Sequence, residues 1–419
     1  MITKRLVISS VLFFLTVGLT HADDSTLKSL SDSELSQVQG QALMNLTYTD
    51  PSKANASMAS QNIGFYKLGM EADVELNANI KKLQLGCGGV NGAGGCDIDI
   101  DNLSLSGIAE TREERVGSSA KMTNPFIEFA IKNPNSASTR EMMGFRLSAE
   151  KVLGMLTLGE ENTGTPNGIN SLSGYMKIKD TTGTASTTPR TMTYGDTGMS
   201  LNGTIRALLL AHPFSTDNYS LDLNSANATL AVKGQTISGS RMNNVNLVGS
   251  ATIDPLSFGG SIKPAIYGIK LPININVTGQ ISGLTADLKV NESLGFIHKL
   301  QLNNPFSLSL QKQAIHWNGA EVAANRGWWL AIEDPIDIGK VTPTNSIDVT
   351  NDILKQVVPE INGFLAKNTM SCTLFSCIFG LDIGNINLSG SKPLDFPIKD
   401  IQLATQNFAP NCYGSLKFC

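Results

Sequence analysis

Apolar residues take every second position in several short stretches of this chain. The clearest run is Ile269, Leu271, Ile273, Ile275 and Val277, with Lys, Pro and Asn in the positions between. Successive side chains of a β-strand point to opposite faces of the sheet. This period of two therefore predicts a strand with one buried face.

The same alternation recurs along residues 45–350, where Gly, Asn, Ser and Asp separate one run from the next. Many short strands of this kind predict a mostly β fold, built as an elongated stack of sheets, a curved sheet or an irregular β-solenoid. The further alternating runs are Leu83/Leu85, Ile98/Ile100, Leu103/Leu105, Leu221/Leu223, Leu284/Ala286/Leu288/Val290 and Phe306/Leu308/Leu310.

Two segments have helical spacing instead. Near the start, Ser31 and Glu34 have the spacing of a capping box, and Gly40 is suited to end a short helix. Near the other end, Asn351 is a suitable cap for a second helix, which Pro359 is expected to kink or break. Strands are predicted after that helix.

These patterns divide the chain into four parts. Residues 1–22 are predicted to be a signal peptide, residues 23–44 an N-terminal helical segment, residues 45–350 a β-rich body, and residues 351–419 a helix followed by C-terminal strands. Within the body, residues 159–203 are rich in Gly, Thr, Ser and Asn, which predicts one long surface loop.

The export signal rests on a basic start at Lys4 and Arg5, an apolar run over residues 6–19, and Ala22 at a suitable cleavage position. An uncleaved membrane anchor is the alternative for this segment. Elsewhere in the chain, no apolar stretch is long enough to predict a transmembrane helix. The expected location is the outer-membrane surface or the extracellular medium, with the periplasm as the alternative.

The six cysteines fall into three pairs that are close in sequence, which is typical of local disulfides in an exported protein. Zinc ligation is the competing hypothesis, but the spacing is not that of zinc knuckles and no histidine accompanies the pairs. The pairs are Cys87 with Cys96, Cys372 with Cys377, and Cys412 with Cys419.

Removal of the signal, with Lys4 and Arg5, leaves 30 basic against 36 acidic residues. A mildly acidic chain of this kind argues against a nucleic-acid partner. The mature chain keeps only His212, His298 and His316, and it contains neither G-x-S-x-G nor H-E-x-x-H. The sequence therefore predicts a protein that is not an enzyme.

Two clusters remain as candidate sites. Asp97, Asp99 and Asp101 alternate with isoleucines, so one strand face would present three carboxylates that could hold calcium or simply face solvent. Apart from calcium, no cofactor is expected.

Trp317, Trp328 and Trp329 form the second cluster. Adjacent Trp328 and Trp329 would point to opposite faces of a strand, one into the core and one toward a contact surface. Packing inside the fold is the alternative for all three.

Residues 30–41, LSDSELSQVQGQ, resemble the segment that follows the signal in a group of exported Gram-negative proteins. With residues 327–330 (GWWL), residues 334–339 (DPIDIG) and the Cys-terminated tail, the chain is similar to the pilus-system proteins called Fil. This resemblance implies a surface or pilus-associated role, with other surface or pilus-assembly proteins as partners.

Three hypotheses follow for the function. The first is a non-catalytic structural or adhesive protein of the cell surface or pilus. The second is a periplasmic or outer-membrane carrier of an apolar ligand such as lipid, built on a curved sheet. The third is an extracellular enzyme acting on carbohydrate, which would need carboxylates brought together from distant strands.

Overall fold

The computed structural model describes residues 44–160, 167–207, 210–373 and 380–399. The predicted signal peptide, the predicted N-terminal helical segment and every residue beyond 399 lie outside these ranges. All described residues belong to one compact unit, Leu43–Cys419.

The fold is mostly β, as the alternating pattern predicts. The described residues contain 27 strands, four α-helices and two single-turn 3-10 helices, Pro51–Lys53 and Leu294–Phe296. The strands are β1 Met44–Thr49, β2 Ile63–Met70, β3 Asp73–Leu76, β4 Ala78–Leu85, β5 Ile98–Ser106, β6 Ala120–Lys132, β7 Glu141–Thr157, β8 Ile169–Ile178, β9 Thr181–Ser186, β10 Arg190–Thr193, β11 Leu201–Ala207, β12 Leu210–Thr216, β13 Tyr219–Leu223, β14 Asn227–Val232, β15 Gln235–Met242, β16 Asn244–Ile253, β17 Leu256–Ile262, β18 Ala265–Ile266, β19 Ile269–Lys270, β20 Ile275–Ser282, β21 Thr285–Ser293, β22 Lys299–Leu302, β23 Phe306–Gln311, β24 Gly327–Ile336, β25 Met370–Cys372, β26 Leu381–Asn387 and β27 Leu394–Lys399. The helices are α1 Ala56–Ala59, α2 Arg112–Val116, α3 Tyr194–Thr197 and α4 Asn351–Lys367.

The largest sheet, sheet A, has twelve strands in the order β1-β2-β6-β7-β23-β24-β8-β5-β4, with β3, β15 and β22 paired beside this path. Because β5 also pairs with β7, the strands β5, β7, β23, β24 and β8 form a closed circuit. A closed circuit of paired strands is a small barrel, and its strands contribute residues such as Ile98, Leu156 and Leu330 to the main hydrophobic core.

Arg115 of α2 joins the two strands that close this barrel. Its side chain is fully buried and donates to Ser106 Oγ on β5 and to Thr157 Oγ1 on β7, both at 2.8 Å. Burial lowers the pKa of Arg115 to about 10. The hydrogen bonds satisfy a charge that would otherwise be costly to bury.

Three further sheets have five strands each. Sheet B has the order β27-β21-β16-β14-β9, sheet C the order β26-β20-β17-β13-β10, and sheet D the order β19-β18-β12-β11-β25. Each strand of sheet B is adjacent in sequence to the strand at the same position in sheet C. Sheets B and C are therefore two halves of one sheet that bends sharply.

The line of this bend, which we call the crease, consists of residues 187–189, 224–226, 254–255, 283–284 and 388–393. Backbone hydrogen bonds continue across it, so the two halves remain one hydrogen-bonded surface. These bonds run from Thr187 N to Ala226 O, from Asp254 N to Asn227 O, from Ile253 N to Leu284 O and from Leu388 N to Ser282 O, at 2.8 to 3.0 Å.

Helix α4 lies against the inside of the crease. Its apolar residues share one face and are buried against the bent sheet: Ile353, Leu354, Val357, Val358, Ile361 and Leu365. The predicted C-terminal helix is thus confirmed. Of the kink or break expected at Pro359, the break is wrong. Pro359 is on the exposed side, where the freed backbone carbonyl can bind water, and the helix continues through it.

Two predictions about the body also need correction. Residues 159–203 are not one long loop, because β8, β9, β10 and the start of β11 lie there and pair with other strands. Residues 269–277 are not one strand, because the chain leaves sheet D after Lys270 and enters sheet C at Ile275. Pro272, which has no backbone N–H to donate, lies in the break.

No helix in the part of the chain that the structure covers combines the length and the apolar character needed to cross a bilayer.

Candidate functional site

The predicted carboxylate cluster is divided in the structure. Asp97 lies one residue before β5 begins and is fully buried, whereas Asp99 and Asp101 lie within β5 and are partly exposed. The three side chains therefore have different surroundings.

Asp97 holds three segments together. Its carboxylate accepts hydrogen bonds from Arg241 Nε at 3.0 Å, from Asn91 Nδ2 at 2.8 Å and from the backbone N–H of Trp328 at 3.0 Å. Gly327, with φ of +97°, allows this approach, since a Cβ there would lie 2.4 Å from Asp97 Oδ2. The carboxylate thus ties the loop before β5 to β15 and to the start of β24.

Asp99 and Asp101 share a lysine. The Nζ atom of Lys82 is 2.6 Å from Asp99 Oδ1 and 2.9 Å from Asp101 Oδ1. Burial by itself would raise the pKa of Asp99. Hydrogen bonds from Lys82, Gln84 and Asn170 together outweigh this effect, so the pKa lies below its usual value. The described residues contain no group of three or more His, Cys, Asp or Glu that could hold a metal ion. Lys82 is the counterion that the structure provides, and the calcium hypothesis stays a prediction.

One predicted disulfide falls within the described side chains, and it is confirmed: Cys87 is bonded to Cys96. The loop that it closes contacts Arg241, whose guanidinium donates to the carbonyl oxygen of Gly92 at 3.2 Å. The predicted pairs of Cys372 with Cys377 and of Cys412 with Cys419 lie outside the described side chains.

The tryptophans lie mainly in the core. Trp317 and Trp329 are each 2% exposed and belong to a second core cluster on one side of sheet A, where the rings of Trp317 and Phe65 are 5.7 Å apart. The prediction that all three tryptophans could form a contact surface is therefore wrong for Trp317 and Trp329. Trp328 is partly exposed on the opposite side of β24.

Two of the histidines fix the backbone. His298 Nδ1 lies 2.8 Å from the carbonyl oxygen of Leu158, and His316 Nε2 lies 2.9 Å from that of Ala320. The ring of His212 packs edge-on against Tyr267 at 5.4 Å. The hypothesis that the chain is not an enzyme stays a prediction.

The feature that sequence reasoning missed is an apolar surface on sheet A that the described part of the chain leaves open at one end. Residues directly opposite each other in an antiparallel pair point to the same side of the sheet. The register therefore aligns two apolar rows across β1, β2, β6, β7, β23 and β24, which we call the apolar face. One row is Tyr48, Tyr66, Phe129, Phe145, Leu310 and Trp328, and the other is Leu46, Leu68, Ile127, Leu147, Leu308 and Leu330.

The apolar face is buried at one end and open at the other. Leu330, on β24, is 9% exposed and belongs to the main core, whereas Leu147 on β7 is 45% exposed and Leu46 on β1 is 67% exposed. Monomeric proteins rarely expose contiguous apolar patches of more than a few hundred Å². The open end of the apolar face is therefore a candidate binding surface.

Among the residues that the structure describes, nothing pairs with the outer edge of β1, where the open end finishes. Strand β1, with the sequence MNLTYT, pairs with β2 on one side and is the first strand in the order of sheet A. It carries no charged residue, no proline and no bulge in its pairing, which are the usual devices that keep an edge from pairing with another chain. β1 can therefore accept a further strand.

The opposite side of the same strands is firmly supported. Arg146 on β7 pairs with Glu128 on β6 at 2.5 Å, and both side chains are less than 10% exposed. Asn318 donates to Glu128 Oε1 and to Thr49 Oγ1, each at 3.2 Å, so the loop that carries Trp317 is held beneath the sheet. These contacts connect β1, β6 and β7 on the side opposite the apolar face.

A second apolar space lies between α4 and the crease. It contains one cavity of about 60 Å³, reached by Ile281, Val357 and Phe396, and another of about 30 Å³ beside Leu365 and Met370. Pockets for drug-sized ligands usually measure about 300–1,000 Å³. These cavities do not hold an acyl chain unless α4 moves.

No family model, no curated protein and no solved structure matches this chain.

Proposed function

We propose that this chain is a non-catalytic structural or adhesive protein of the bacterial cell surface, associated with a pilus. It joins other surface or pilus-assembly proteins through the apolar face and the free edge of β1. The resemblance of residues 30–41 to the Fil proteins agrees with this role.

The observation that carries the proposal is the uncovered end of the apolar face, where Met44, Leu46 and Tyr48 are 54%, 67% and 40% exposed. An added strand would form main-chain hydrogen bonds with β1, and its apolar side chains would extend the two rows. Such binding gives affinity through the backbone and specificity through the side chains, as a structural subunit requires.

The test uses intact cells that produce the chain with an epitope in the exposed turn at residues 135–140. We expect external protease to remove the epitope, and we expect deletion of the chain to reduce surface filaments or attachment. Leu46→Glu should cause the same loss of filaments or attachment as the deletion, because it places a charge in the apolar row.

The matched control is Thr47→Glu, since Thr47 is exposed on the other side of the same strand. Both variants should keep the wild-type unfolding midpoint, and only Leu46→Glu should lose function. Protection of the epitope from protease, or normal filaments and attachment in the deletion strain, would refute the proposal.

A carrier of an apolar ligand is the second candidate, and the space between α4 and the crease favours it. The combined volume of the two cavities is far smaller than an acyl chain requires. A carrier would therefore bind its ligand by moving α4 away from the sheet. Native mass spectrometry of protein purified without detergent tests this candidate, and a spectrum with no mass added by lipid would exclude it.

A further inference from the structure

A polar cleft of about 480 Å³ lies beside β1, on the side of the sheet opposite the apolar face. Asn45 and Thr47 line it from β1, and Gly69 and Lys67, which lie directly opposite them in the register, line it from β2. These residues alternate with Leu46, so they point away from the apolar face. The volume is in the range of binding sites, and the cleft reaches the outer edge of β1.

The polar cleft has more carboxylates than cations. Besides Lys67, its lining includes Glu71, Asp73 and Glu150. Two of the carboxylates have a lysine partner: Lys67 Nζ is 3.1 Å from Glu150 Oε1, and Lys121 Nζ is 2.7 Å from Asp73 Oδ2. Glu71 is the third carboxylate of the cleft.

Glu71 is exposed and has no lysine or arginine partner among the described residues. Its contact is with a neutral group, because Asn45 Nδ2 on β1 lies 3.4 Å from Glu71 Oε1. A strand added to β1 would lie about 4.8 Å farther out. The long side chain of a lysine or arginine in that strand spans this distance, so a cation on the cleft side can reach Glu71.

The two sides of β1 therefore call for different side chains in an added strand. On one side, Met44, Leu46 and Tyr48 match apolar residues, and on the other the excess carboxylate of the cleft matches a cation. A second copy of this chain fits less well, because β1 carries no charged residue and would bring no partner for Glu71. Charge complementarity favours a basic segment of another protein.

We propose that the segment which adds to β1 is an extended stretch of a partner protein in which apolar residues alternate with lysine or arginine. Its apolar side chains extend the apolar face, and its cations face the polar cleft, where one of them pairs with Glu71. This inference rests on the proposed function, which assigns the edge of β1 to a partner, and it adds the chemistry of that partner.

The experiment compares three dye-labelled peptides of eight residues by fluorescence anisotropy with the full mature chain. One alternates valine with lysine, one valine with glutamate, and one serine with lysine. We expect the valine–lysine peptide to bind on the order of tenfold more tightly than the valine–glutamate peptide, and this ratio should shrink at high salt. The serine–lysine peptide keeps the charge but lacks the apolar side chains, so it should also bind on the order of tenfold more weakly.

Two variants locate the effect. Glu71→Gln should lower the ratio between the two valine peptides about threefold, since it removes one exposed ion pair. The matched control is Glu113→Gln on α2, which removes the same charge from an exposed residue outside the cleft and should leave the ratio unchanged. Leu46→Ser should weaken both valine peptides by a similar factor, because both use the apolar face.

Equal binding of the two valine peptides, tighter binding of the glutamate peptide, or no binding of either at millimolar concentration would overturn the proposal. A ratio that Glu71→Gln leaves unchanged would also overturn it. Self-association of the chain that Leu46→Glu abolishes would assign the edge to a second copy, with the same consequence. The intact-cell test of the proposed function does not depend on the peptide ratio, so failure of one is distinguishable from failure of the other.

Discussion

Replacement of Asp97 by asparagine is the most informative single change in this chain. The Asp97 carboxylate is completely buried and accepts from Arg241, Asn91 and the Trp328 backbone. An amide has one oxygen in place of two and no charge. Asp97→Asn therefore leaves Arg241 without its counterion and turns an NH2 group toward a donor.

The expected loss of folding stability follows from the burial of the ion pair between Asp97 and Arg241. Removing one partner of a buried ion pair costs about 3–5 kcal/mol. The side chain of Arg241 is 19% exposed and keeps its hydrogen bonds to the carbonyl oxygen of Gly92. The lower end of this energy range therefore applies. We expect the free energy of unfolding to fall by about 3 kcal/mol.

The control is Asp99→Asn, two residues along the chain. Asp99 pairs with Lys82, whose side chain is 42% exposed and also contacts Asp101. An exposed pair of this kind contributes about 0.2–1 kcal/mol. The two conservative substitutions are therefore expected to differ by about 2 kcal/mol or more.

Urea unfolding, followed by circular dichroism and tryptophan fluorescence, measures both losses. Trp328 donates to Asp97 through its backbone, so its fluorescence reports on this region. A loss below about 1 kcal/mol for Asp97→Asn, or equal losses for the two variants, would refute the reasoning. Added calcium tests the calcium hypothesis separately, because a bound ion would raise the wild-type unfolding midpoint.

Three further predictions concern the same region. Gly327→Ala should cost about 2 kcal/mol in a urea titration, because its Cβ would contact the buried carboxylate, while Gly88→Ala, with φ of +61° and open space, should cost less. Replacing Cys87 and Cys96 by serine should cost about 2.5 kcal/mol, since the bond closes a loop of nine residues, and the loss should match that of the wild type in reductant. The pKa of Asp99 is lowered in the folded state, so its contribution is present above its usual value of 3.8 and is lost as pH falls through the lower folded value. The stability difference between the wild type and Asp99→Asn should thus be constant near neutral pH and vanish in acid, and a difference that grows in acid would contradict this sign.

Local patterns in the sequence were enough to predict the elements in which one face is buried by neighbouring strands. The runs at Leu221/Leu223 and Phe306/Leu308/Leu310 are strands, and the helix that begins at Asn351 is present. The Cys87–Cys96 disulfide was also predictable, because a nine-residue separation brings the two thiols within reach in many conformations.

Local patterns failed where the tertiary structure chooses the partner. The Thr- and Gly-rich segment 181–186 has little apolar signal, yet it is β9 because β14 pairs with its whole length. The regular alternation from Ile269 to Val277 hides a break between two sheets. Asp97 matches Asp99 in sequence spacing, but it precedes β5 and turns inward toward Arg241 from β15.

The sequence by itself determined that this chain forms strands with one apolar side, and it predicts that the chain is exported. Only the tertiary structure decided which apolar sides are covered. The apolar face joins Leu46 to Leu308 through four pairings, and strand register over such separations is set by the packing of the whole fold. The pattern of a single strand is the same whether another layer covers it or not, so the open surface could not be read from the residues alone.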